Sequence, residues 1–179
     1  MGINGISTGY YQTGYANNKT TKTTTGTSFS NRINNIVGKG QIVYLKTDDM
    51  LYSGGNGTGL SFYLKYAENS PEDDPIVVAK GIDENGEEFE QTIHINKINP
   101  KCATYVEMHA LEAHLGVEKR FGYSSLPLGG TGEMGLNDRA DFMDLFEKAI
   151  SDFIKLNVHR AAAYYRYSMQ AYWDFMSKK

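Results

Sequence analysis

The sequence predicts an α+β fold: a small antiparallel sheet, a helix covering it, and a C-terminal helical pair. Three observations carry this expectation. Apolar residues alternate through residues 60–66 and again through 76–95, as in half-buried strands. They recur at helical spacing through 104–115, and two further helical stripes run through 142–176. A chain of 179 residues suits one folded domain of ordinary size, here expected over 36–179, with sheet and helix in 36–128 and a helical region in 129–179.

Residues 1–35 differ from that body. They hold eight Thr, six Asn and five Gly, with scattered large apolar residues and no period. Such a segment buries too little apolar surface to offset its backbone entropy and is expected to be a flexible tail. Charge follows the same division. Lys19, Lys22, Arg32, Lys39 and Lys46 give residues 1–47 a charge of +5; with a net charge of −3, the remainder carries −8. The start has no continuous apolar stretch of the signal-peptide kind. Ile6 stands where a myristoylation pattern needs Ser or Thr. A cytoplasmic protein is expected, with signal-peptide-independent export of an acid-free start as the alternative.

The elements follow in order. Residues 41–47 (QIVYLKT) are rich in β-formers. SGGNGTG then reads as a flexible connection. Leu60, Phe62, Leu64 and Tyr66 share one face of a strand. Asn85-Gly86 is a preferred two-residue hairpin loop. That loop sets Ile82 opposite Phe89, Val78 opposite Ile93 and Ile76 opposite Ile95. Asn99 and Pro100 suit a helix start, with Cys102 in its first turn and Gly116 at its end. Thr104, Met108, Leu111 and Leu115 form its apolar stripe. Phe142, Phe146, Ala149, Phe153 and Leu156 form the next stripe. Val158, Ala162, Tyr165, Met169, Tyr172 and Met176 form the last. The step from Leu156 to Val158 turns about 200° around a helix, which predicts a break near Asn157, with one long helix gripped on both sides as the alternative.

Several chemical patterns are present in outline only. Residues 130–135 fit GxGxxG, but no βαβ unit surrounds them, and Glu133, Asp138, Asp141 and Asp144 repel phosphate. His109 and His114 lie five apart, not at metalloprotease spacing; His109 and Glu112 are expected to be solvated. Glu72, Asp73, Asp74, Asp83, Glu84, Glu87 and Glu88 lack EF-hand order. No metal, cofactor or catalytic set is expected. The acidic net charge opposes nucleic-acid wrapping, and nothing approaches a membrane-spanning apolar run, so no membrane insertion is expected.

MGINGISTGYY at the start, GIDENGEEFEQTIHINKINPKCATYVEMHALEAHL, and AAYYRYSMQAYWDF near the end resemble uncharacterised proteins of anaerobic Firmicutes, gut anaerobes among them. The resemblance implies a bacterial source and transfers no activity and no site residues. The residues themselves lead to a non-catalytic interaction or structural protein. The surface expected to meet a protein partner or a second copy comprises Tyr164, Arg166, Tyr172, Trp173 and Phe175, since aromatic and Arg side chains are common interface anchors. The alternative is a small-ligand-binding protein or enzyme with a pocket under SSLPLGGTGEMG.

Overall fold

The computed structural model describes residues 42–117, 125–127, 129 and 131–178. The described residues all belong to one compact unit. The expected tail over 1–35 lies outside the described residues.

The expected α+β architecture is present. Four strands, β1 (Tyr52–Gly55), β2 (Ser61–Tyr66), β3 (Ile76–Ile82) and β4 (Glu88–His94), form an antiparallel sheet in the order β1-β2-β3-β4. A 3-10 turn, Ile95–Lys97, leads to the short strand β5 (Ala103–Thr104) and helix α1 (Tyr105–Leu115). Strand β6 (Arg139–Ala140) pairs antiparallel with β5 and opens the C-terminal pair, α2 (Phe142–Lys155) and α3 (His159–Ser177).

Two local expectations fail at the first edge of the sheet. Residues 42–47 take no regular structure, and the strand forms one step later, in Tyr52-Ser-Gly-Gly. Ser53 Oγ donates to the Tyr44 carbonyl and so ties the preceding segment alongside. The Tyr52 ring lies over Gly54, where an added Cβ would come 2.5 Å from the phenol oxygen. Glycine there is what lets the ring lie down along the strand.

The β3–β4 register differs by one residue from the expected one. Val77 faces Ile93, Ala79 faces Gln91 and Gly81 faces Phe89. The loop holds three residues, Glu84, Asn85 and Gly86, between Asp83 and Glu87. Asp83 N donates to Glu87 O at 2.9 Å, and Gly86 N returns to Asp83 O at 3.1 Å. Gly86 takes φ +88°, the left-handed residue of a type I turn with a G1 bulge. The Asp83 carboxylate selects this loop by accepting from Asn85 N and Glu87 N, and these bonds lower its pKa. The slip reverses the expected face of β3: Val77, Ala79 and Gly81 point inward, while Val78 and Lys80 turn to the other side. Gly81 packs where a Cβ would collide with Ser61 O and Phe62.

Helix α1 begins at Thr104, not Asn99. Thr104 Oγ1 accepts from Glu107 N at 3.1 Å, and Glu107 Oε2 accepts from Thr104 N at 2.9 Å, a reciprocal capping box. Asn99 instead closes the preceding turn through Lys101 N, and Cys102 is exposed ahead of the helix. Gly116, at φ +63°, ends α1 as expected. The helix buries far more than one stripe: Tyr105, Val106, Met108, His109, Ala110, Leu111 and Glu112 are all interior. A helix buried this widely must be flanked on more than one side. Its Tyr105 and His109 meet rings from the sheet, and its Glu112 lies beside Tyr172 of α3.

The break near Asn157 is present. Asn157 takes φ +57°. Val158 N donates to Phe153 O at 2.8 Å and Asn157 N to Ile154 O at 3.0 Å, a Schellman ending with asparagine at the left-handed position. The two stripes meet across the turn: the rings of Phe153 and Tyr165 stack at 5.6 Å, and Phe146 touches both Tyr165 and Tyr172. Leu156 and Val158, expected at the ends of these stripes, instead project from the elbow, because the reversal carries them past the end of the packed pair.

Candidate functional site

Two places concentrate chemistry: the polar centre under α1 and the elbow between α2 and α3.

The polar centre corrects the expectation that His109 and Glu112 are solvated. Their residues are 3% and 2% exposed, and His109 Nδ1 lies 2.8 Å from Glu112 Oε2. Position explains the burial. One helical turn separates the two residues, so their side chains meet. The sheet then closes over the imidazole through Tyr52, stacked on it at 4.1 Å, while Tyr105 of α1 meets it edge-on at 4.5 Å. Burial raises the phenol pKa values of Tyr52, Tyr105 and Tyr172, and the Glu112 carboxylate adds to each. Tyr52 and Tyr105 also share a hydrogen bond. A carboxylate and an imidazole held among neutral phenols can orient a proton and lock three elements together. A cavity of about 300 Å³ lies at the C-terminal end of α1, lined by Lys46, Leu51, Glu112, Ala113, Gly116 and Val117. His109 is not on its wall.

The remaining sequence motifs separate. Gly135 N and Leu136 N donate to the carboxylates of Asp138 and Glu84 at 2.7 and 2.8 Å, so acids already occupy the last amide of the GxGxxG segment and the one that follows it. His94 pairs with Asp74 at 3.2 Å, and His114 Nδ1 meets the Tyr66 hydroxyl at 2.9 Å, each apart from the buried histidine. Among the described residues, no group of three or more His, Cys, Asp or Glu is arranged to hold a metal ion. Among them, too, no helix is long and apolar enough to cross a membrane.

The five residues expected at a partner surface fall in different environments. Tyr164 and Tyr172 are core residues. Arg166 is exposed. Trp173 is partly covered, with Lys101 Nζ 5.0 Å from its ring centre, and Phe175 is partly buried against the core. The apolar surface lies instead at the elbow. Ile154, Leu156 and Val158 are 39%, 70% and 37% exposed within five consecutive positions. Of the three, Leu156 also lines a groove of about 450 Å³, with Leu145, Lys148, Ala149, Asp152, Phe153, Tyr165, Pro127 and Gly129. Sequence periodicity put Leu156 and Val158 inside. The signal that would have placed them outside is the same phase jump that revealed the turn, because residues at a reversal lie beyond both packed faces.

Compared with known family models, curated proteins and solved structures, the chain matches none.

Proposed function

We propose that this chain is a non-catalytic interaction protein whose α2–α3 elbow receives a protein partner. One observation carries the reading: Leu156 stands 70% exposed on the wall of a groove that it shares with Leu145, Ala149, Phe153 and Tyr165. A single exposed apolar residue is ordinary, whereas one continuous with a largely apolar groove marks a contact site. Arg166, exposed on α3, supplies a cation on the same helical pair. Burial of the His109–Glu112 pair supports a structural role for the most conspicuous polar groups. A cytoplasmic setting fits Cys102, an exposed thiol that a reducing compartment keeps free.

Site-specific photo-crosslinking tests the reading. A photoreactive residue at position 156, in cells that make the protein, should form discrete adducts, whereas one at position 90 on the exposed polar face of β4 should not. Equal yields at the two positions would reject the elbow as a contact site.

A second reading, a small-ligand-binding protein or enzyme, draws on the cavity at the C-terminal end of α1. Lys46 on its wall suits a small anion. Small carboxylic acids should then raise the melting temperature of the wild type and not of Lys46→Gln. No shift in either protein removes this reading.

A further inference from the structure

Resting on the elbow reading, we propose that its occupant is a second copy of the chain, docked through an antiparallel α2–α2 contact about a two-fold axis. The argument is self-complementarity. Leu145, Lys148, Ala149, Asp152 and Leu156 all line the groove and recur at three- and four-residue steps, so they share one face of α2. A two-fold axis passing near position 150 places each residue opposite the one equally far from that centre. Lys148 then meets Asp152 of the other copy, and Asp152 meets the other Lys148. Leu145 reaches Leu156 at each end, and the small Ala149 sits at the crossing, where it lets the helices approach. An isologous contact needs this reciprocity, in which one patch is both key and lock.

The charges favour a second copy over an unrelated helix. In the single chain, Lys148 Nζ pairs with Asp144 at 2.6 Å and Lys155 Nζ with Asp152 at 3.1 Å. These pairs are solvent-exposed, so exchanging them for pairs between copies costs little. The groove carries one cation and one anion, neutral in sum and ordered so that reversal of direction matches opposite signs. A strongly basic or strongly acidic partner would leave one of them facing its own sign. The adjacent projecting Leu156 provides the apolar knob for the other copy's groove, and that copy provides the same in return.

Sedimentation of the full chain over a wide concentration range, with circular dichroism to confirm folding, tests the proposal. Wild type should self-associate reversibly. Lys148→Glu and Asp152→Lys should each raise the dissociation constant by about tenfold or more, since symmetry makes every substitution act twice. The double variant Lys148→Glu/Asp152→Lys should restore association. Asp144→Asn, which breaks only the pair within the chain, should leave it unchanged. A wild type that stays monomeric, or singles that associate normally, or a double variant that fails to recover, overturns the proposal. A monomeric wild type whose position 156 still crosslinks to a different protein would reject the second copy and leave the elbow reading standing.

Discussion

Two helical side-chain pairs in this molecule have the same spacing and opposite weight. His109 and Glu112 on α1 are three residues apart, as are Asp152 and Lys155 on α2. The first pair is almost fully enclosed. The second has side chains 71% and 67% exposed. Water screens the exposed pair and solvates either partner after the other is lost. Around His109, Tyr52 and Tyr105 stand where water would be, so neither member of the buried pair can be removed cheaply. Spacing alone therefore says where two side chains meet, while the element packed above them sets what the meeting is worth.

The largest test of this contrast removes one buried partner. His109→Leu should cost about 3–5 kcal/mol in chemical denaturation, the scale of removing one member of a buried pair and leaving the carboxylate behind. Replacing both, as His109→Leu/Glu112→Met, should recover much of that loss. If the double variant is as unstable as the single, the pair contributes by shape, not by charge compensation. A smaller effect belongs to the part-buried cap at the start of the same helix. Thr104→Ala should cost about 1 kcal/mol, and Asn99→Ala clearly less, because Thr104 holds the first turn. The reverse order would restore the helix start to Asn99. At the bottom of the scale, Lys155→Ala should change stability by less than about 0.5 kcal/mol, measured the same way.

The phenols around the buried pair give a pH test. Burial raises Tyr52, Tyr105 and Tyr172 above their ordinary pKa of 10.0, so above that pH they ionise in the unfolded chain before they do in the folded one. The unfolded state then binds fewer protons, and stability falls as pH rises. It should be level just below pH 10 and decline beyond it. Tyr172→Phe should lessen the decline at little cost near neutrality, because the Tyr172 hydroxyl is buried with no hydrogen-bond partner among the described residues. A stability curve that stays flat through the alkaline range would contradict the burial of these groups.

The contrast also shows what was legible in the sequence. The α2–α3 break could be read from one phase jump because helix periodicity is local and Asn157 tolerates the left-handed turn. The burial of His109 could not, because it depends on Tyr52, from a strand whose Gly-rich sequence reads as a loop. The β3 face was misassigned for a similar reason. Asn85-Gly86 supports more than one loop, and the Asp83 carboxylate, not the apolar pattern, selects the longer one. At the elbow, the stripes identified which residues are apolar but not that a reversal leaves Leu156 outside.

The sheet order has a kinetic consequence. Each strand of the meander pairs with its neighbour in sequence, so every ladder in it closes a short loop at low entropic cost. The β5–β6 ladder is different: it joins residue 104 to residue 139 through only two residue pairs. The meander is thus suited to assemble early, and the β5–β6 closure to come late, since distant contacts are rewarded only after their loop is closed. Substitutions at Arg139 should then act mainly on the unfolding rate, and those at Gly81 on the folding rate.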